Sequence, residues 1–270
     1  MKKATSYLHW ACVGTACALS ACQLNPENTG NDQTRTEAAD TLAYEYRHYT
    51  LHSQNVVKTT ETTDTTFYSV SYPLFNDSAV NRFVLTTLLG SDTATVAGSA
   101  QTFVKEFDDF FLTDPFPRIW TSESHTKVYA ITAGYLGLAL DVYTYTGGAH
   151  GNYAKVFAHY DLTDGTPLTL ADVVSPDFQN ELTAVGERYF RKQENLTVDQ
   201  SLEERYFFDG GRFHLPDNFA FGKDSLLFLY NIYEIKPYVD GQTELRVPYD
   251  DIDRLLSDRA KHIVAELSRK

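Results

Sequence analysis

With 270 residues, 43% of them hydrophobic and 14% aromatic, the chain can bury one large core or two small ones. Its formal net charge of −13 argues against nucleic acid or an anionic bilayer face as a partner and favours a basic one. All three cysteines fall within the first 22 residues, so the body has no thiol for catalysis, a disulfide or zinc-thiolate binding.

The chain opens with Lys2 and Lys3, an apolar middle from Trp10 to Leu19, and then Leu19, Ser20, Ala21 and Cys22, the layout of a secretory leader. The last four residues resemble a bacterial lipobox. That resemblance implies diacylation of the Cys22 thiol, cleavage before it, and a lipid anchor in a membrane, since each buried methylene contributes about 0.8 kcal/mol. The apolar stretch is shorter than the roughly 20 residues that a membrane span needs. Removal of Lys2 and Lys3 with the leader would take the charge to −15. Gln23 is not the Asp of the familiar inner-membrane retention signal, so in a source with two membranes the outer one is expected. The expected organisation is a leader over 1–21, a flexible polar tether over 22–40, a smaller α+β subdomain over 41–117 and a larger α+β domain over 118–270.

In the smaller part, residues 41–53 and 63–72 are rich in Tyr, Thr and Val and read as strands, with Pro73 as a stop. Asp77 and Ser78 offer a helix cap ahead of Val80, Phe83, Val84, Leu85 and Leu88, and Phe103, Phe107, Phe110 and Phe111 mark a second helix over 102–112. Further on, 127–131, 135–145 and 153–162 read as strands, the last two with inward Leu136, Leu138, Leu140, Val142 and Ala154, Val156, Ala158, Tyr160, Leu162. Asp164-Gly165 signals a hairpin. Phe178, Leu182, Val185 and Tyr189 form a helical stripe, 226–235 reads as a covered central strand, and Ile252, Leu255, Leu256, Ile263 and Leu267 give a C-terminal helix. Strands and helices come in blocks, the pattern of an α+β fold with two subdomains, each an antiparallel sheet packed with helices.

Tyr145, Gly147, Gly148, His150, Gly151 and Asn152, then Phe157 to Asp161, Asp164 to Leu170, and Tyr233 to Tyr238 with Gly241 and Val247-Pro248-Tyr249, resemble the extracellular domain of the RsiV type. That domain occurs in lysozyme-sensing anti-sigma factors and beside the catalytic domain of PdaC-type peptidoglycan deacetylases. Phe67 to Phe75 and the helix after it are similar to the smaller domain that usually precedes it. The resemblance spans about residues 42–256 and implies a lysozyme-type muramidase or peptidoglycan as partner. It departs from both relatives. The sequence shows no sigma-binding segment with a membrane helix, and no deacetylase Asp-Asp motif, since Asp108-Asp109 sits in a Phe-rich helix. His48 and His52 have a His-x-x-x-His spacing but lie on a strand, too far apart to share one metal unaided.

The loop over 147–152 carries two readings. Gly147, Gly148 and Gly151 permit positive φ and close approach, and His150 offers an imidazole, so the loop is either a recognition element or a strained connection that His150 braces. The candidate binding residues are Tyr145, Gly147, Gly148, His150, Gly151, Asn152, Glu234 and Tyr238, with Cys22 for lipidation and no catalytic residue, metal or cofactor assigned. Glu234 is expected to interrupt a central strand, where pairing with a Tyr or Arg is the ordinary role. The rival to a binding module is an envelope hydrolase or deacetylase using His150, His159 and Asp161.

Overall fold

The structure, a computed structural model, describes residues 42–58, 62–114 and 116–269. The leader, Cys22 and the tether lie outside the described residues. Two sheets organise the body. The six-stranded sheet runs in chain order: β1 (Tyr44–Lys58), β2 (Thr63–Phe75), β3 (Thr121–Ile131), β4 (Tyr135–Tyr145), β5 (Asn152–Asp161) and β6 (Thr166–Leu168). β7 (Phe219–Phe221), β8 (Ser225–Tyr230) and β9 (Thr243–Pro248) form a three-stranded antiparallel sheet. The helices are α1 (Ser78–Leu89), α2 (Val96–Thr113), α3 (Leu170–Val173), α4 (Gln179–Gln193), α5 (Tyr249–Ile252) and α6 (Asp258–Leu267). The α+β expectation is met. Among the described residues no helix is long and apolar enough to cross a membrane.

All pairings are antiparallel except β2 with β3, which run parallel because α1 and α2 carry the chain back across the sheet. That pairing, Phe67 to Ser71 against Thr121 to His125, joins residues on either side of the expected 117/118 boundary into one sheet. Helix α1 starts where the sequence predicts, with the Asp77 carboxylate accepting the Ala79 and Val80 amides, and stops at Gly90 with φ 67°. Helix α2 begins six residues earlier than its Phe pattern suggests, because Thr95 caps it by accepting the Gly98 amide. One sheet face is covered by these helices through Val70, Leu88, Ala100 and Leu140.

The main core lies between β7–β9, α4 and α6, and includes fully buried Leu182, Phe190, Leu226 and Phe228. Each such side chain contributes about 1.5–3 kcal/mol.

Several elements differ from their sequence reading. Pro73 is inside β2 opposite Tyr46, which is allowed because the β3 pairing ends at Ser71 and leaves the strand one neighbour there. β3 starts at Thr121 rather than Lys127, its polar first half hiding buried Thr121, Ser124 and Thr126. β4 is buried on both faces from Tyr135 to Leu140, because the second sheet covers this end, while the expected inward Val156 is 39% exposed. Phe178 also stays exposed, at the N-cap of α4. The 226–235 run is not one strand: β8 ends at Tyr230, and the chain turns so that Tyr233 takes φ 67° and only Ile235 returns to the core. The C-terminal stripe breaks at Leu256, and Ser257 caps α6 by accepting the Ala260 amide.

Candidate functional site

The loop joining β4 to β5 is built around three glycines that do different things. Gly147 takes φ 89°, and its carbonyl accepts from Arg118 Nη1 at 2.9 Å. Gly151 is needed for close approach, since a Cβ there would lie 2.3–2.5 Å from the Tyr143 ring. Gly148 requires neither: its φ is not in the left-handed region, and the nearest neighbour of an added Cβ would be the His150 carbonyl at 3.8 Å. The expectation that all three serve backbone freedom is corrected on that point. Tyr145 braces the turn by donating its hydroxyl to the Gly148 carbonyl at 3.1 Å, and Asn152 is exposed at the start of β5.

His150 projects from this loop onto the 231–241 segment. Its ring stacks on Tyr238 with centroids 3.8 Å apart and planes at 25°. Nδ1 is 2.9 Å from the Gly151 carbonyl, which can only accept, so the proton sits on Nδ1 and Nε2 accepts from the Tyr233 hydroxyl at 3.3 Å. Tyr233 holds a left-handed backbone, unusual for a bulky residue, and stays 51% exposed. Beside it Tyr238, Val239 and Phe207 are exposed, and the Phe207 amide donates to the Ile235 carbonyl. These residues make an aromatic ledge.

Glu234 is not a strand residue. It lies exposed in the turn, where Oε2 accepts the Asn231 amide at 2.8 Å, so its role is to close the turn that presents Tyr233. With Asp240 it supplies exposed carboxylates beside the aromatic rings. The segment is fixed to β5 by side-chain amides. Asn231 accepts the Lys155 amide at 2.8 Å and donates to the Lys155 carbonyl at 3.1 Å, Asn218 accepts the Phe157 amide at 2.8 Å, and Gln242 donates to Asn231 at 2.7 Å.

His150, His159 and Asp161 are not brought together. His150 and His159 sit at opposite ends of β5, separated by roughly 20 Å or more of extended strand. His159 is buried in the seam between the two sheets. Its Nε2 donates to the Phe219 carbonyl at 2.8 Å, so Nδ1 must accept from the Tyr135 hydroxyl at 2.7 Å, and Tyr129 in turn donates to Tyr135 at 2.6 Å. Burial pushes the imidazole down to about 4 and the Tyr129 phenol up to about 12, so this chain is neutral and fully bonded. Gly137, paired with His159, makes room for it: a Cβ would lie 2.6–2.7 Å from the Tyr129 ring and the Tyr135 oxygen. Asp161 pairs with Arg259 and accepts the Thr163 and Asp164 amides, which closes the β5–β6 hairpin. Among the described residues no cluster of His, Asp and Glu could hold a metal, and His48 and His52 stand exposed on β1.

A family model described as deacetylase PdaC matches residues 59–153, and one described as a protein of unknown function, DUF3298, matches residues 171–250. The chain carries a PdaC-type domain followed by a DUF3298 domain. This is the domain pair that the sequence motifs resemble. A crystal structure of a DUF3298 family member from Bacteroides fragilis is similar over 86% of this chain and all of that one, with TM-score 0.68 and 22% identity. Another, from Pseudomonas aeruginosa, is similar over 81% and 96%, with TM-score 0.65 and 20% identity. At those identities the likeness speaks for the fold. No curated protein matches the chain. The aromatic ledge is assembled from both domains, since His150 falls in the PdaC-type match and Tyr233 and Tyr238 in the DUF3298 match.

Proposed function

We propose that this chain is a lipid-anchored binding module of the bacterial cell envelope, and that its ledge recognises a basic protein of the lysozyme-type muramidase class. The single observation behind the reading is the stack of His150 on Tyr238 with Tyr233 beside it, exposed yet held by hydrogen bonds. Rigid, exposed aromatic side chains are the usual anchors of a protein interface. Glu234 and Asp240 flank them, and the net charge of −13 would steer a basic partner in. Anchoring through Cys22 rests on the lipobox-like residues, and the outer membrane is the expected location in a source with two membranes. Peptidoglycan, the other partner class that the motif resemblance implies, has no particular support on this ledge.

The test is titration calorimetry of a c-type lysozyme against the chain carrying Cys22→Ser, with Tyr238→Ala as the comparison. Truncating an aromatic anchor costs about 2 kcal/mol or more, so Tyr238→Ala is expected to weaken binding at least about tenfold, and raised salt should weaken it further. No binding at low salt, or equal binding of an unrelated basic protein, would reject the reading.

A further inference from the structure

The six-stranded sheet ends on two unlike strands. β6 is 3 residues long and carries Pro167, which has no N–H to offer a neighbour. β1 is 15 residues long and pairs with β2 alone. Two hydrogen bonds decide which of its backbone groups face outward. The Asn76 amide donates to the Ala43 carbonyl, so the odd-numbered residues of β1 are the ones bonded to β2. The Phe67 amide donates to the Trp120 carbonyl, which turns the odd residues of β2 toward β3 and its even ones toward β1, in agreement with Arg47 opposite Tyr72 and Tyr49 opposite Val70. The N–H and C=O groups of Tyr46, His48, Thr50 and His52 therefore point away from the sheet, and among the described residues nothing bonds to them.

The side chains of these residues lean back over the sheet and leave the edge clear. The Tyr46 hydroxyl accepts the Val128 amide at 3.4 Å, the Thr50 and Ser69 hydroxyls are 3.1 Å apart, and the His52 ring lies 5.7 Å from that of Phe67. Residues 44–52 include neither Lys nor Pro, and the register is unbroken along them. The devices that blunt a sheet edge begin only beyond this run. The register shifts between His52 and Val56, and Asp108 of α2 accepts from the Ser53 hydroxyl and from the Asn55 side-chain amide at 2.9 Å.

We propose that this edge pairs with the same edge of a second copy of the chain, antiparallel about a two-fold axis at His48, so that two six-stranded sheets join into one. That axis sets Tyr46, His48 and Thr50 of one copy opposite Thr50, His48 and Tyr46 of the second copy, the residues whose outward groups are open to bonding. It also carries Ser53 past Tyr44 of the second copy, so the bulge and α2 clear the paired run. Charge favours the same contact. In a chain of net charge −13 most of the surface repels a copy, whereas this run holds one acid and one base, Glu45 and Arg47, joined at 2.5 Å. A strand from another protein would have to bring an open edge of its own, and a second copy supplies one in matching register. Pairing uses up β1 in both copies and β6 offers no comparable edge, so assembly closes at two. The inference holds whichever partner the ledge takes.

The paired run is short, which makes the dimer a weak one and concentration the variable to scan. Sedimentation equilibrium of the Cys22→Ser chain is expected to show monomer giving way to dimer, and to no larger species, as concentration rises through about 0.1 mM. Thr50→Pro removes one outward N–H and spares the β2 pairing, so it is expected to weaken association at least about tenfold while the chain stays folded. A second readout needs no proline. With Cys12, Cys17 and Cys22 replaced by Ser, His48→Cys is expected to give a disulfide-linked dimer on mild oxidation, since Cα atoms about 5.5 Å apart in a hydrogen-bonded pair suit that bond. His125→Cys, exposed two strands further in, is the control that should not link. A chain that stays monomeric to about 0.5 mM, whatever other strand it accepts, would overturn the proposal. So would undiminished association of folded Thr50→Pro, or linking of His48→Cys no faster than that of His125→Cys.

Discussion

His150 and His159 stand at the two ends of β5 and have the same bonding pattern. Each donates one ring proton to a backbone carbonyl, presents the other nitrogen to a tyrosine hydroxyl, and stacks on an aromatic ring, Tyr238 for His150 and Phe219 for His159. What differs is water. His150 is exposed, so its ring and its neighbours can meet another molecule, whereas His159 is enclosed between two sheets and its bonds can serve only the fold. Bonding alone therefore does not separate a contact histidine from a structural one; the covering of the ring by the second sheet does.

The comparison breaks most visibly at Gly137. Gly137→Ala places a methyl group into the Tyr129 ring and the Tyr135 hydroxyl, and is expected to cost about 4 kcal/mol, measured by denaturant unfolding. Next comes His159→Ala, which leaves a cavity, a Tyr135 hydroxyl proton without its acceptor and a Phe219 carbonyl without its donor, for about 3–4 kcal/mol.

Acid should produce a related loss of about 3 kcal/mol. The His159 imidazole titrates near 4 in the fold and near 6.5 in the unfolded chain, so between those values the unfolded state binds the extra proton. Stability from this group is complete above pH 6.5, falls as pH drops toward 4, and is flat below. Unfolding free energies across that window should show the slope, and His159→Gln should lack it.

The smallest effects belong to the exposed end. His150→Ala is expected to change stability by less than about 0.5 kcal/mol while weakening partner binding, and Gly148→Ala should be neutral in both. A loss of several kcal/mol in His150→Ala would erase the distinction between the two histidines.

Much of this was legible in the sequence where periodicity or a cap speaks locally. Asp77, the 135–145 strand and the Asp164-Gly165 turn are legible because each depends on near neighbours. The loop is legible through its glycines, and Tyr238 and Glu234 of its partner surface stand among the candidate residues, whereas Tyr233 does not, because it reaches His150 only after the 231–241 segment folds back on β5. The turn position of Glu234 is hidden in the sequence because Ile235 continues the apolar run of Leu226 to Tyr230. Asn231, a turn former at the end of that run, was the available signal. The separation of His159 from His150 was readable from strand length, whereas the enclosure of His159 was not, since the covering strand, β7, lies some 60 residues along.

Asn218 and Asn231 carry a consequence for how this chain behaves among its own copies. β5 runs past the end of the short β6, and its Lys155 and Phe157 backbone groups would otherwise stand open at a sheet edge, a template onto which a stray strand could add. Two side-chain amides take the place of that strand while offering no edge of their own to extend. Exchange of either asparagine for valine would uncover the backbone in a well-ordered fold, and the result to look for is polymerisation on storage rather than loss of structure.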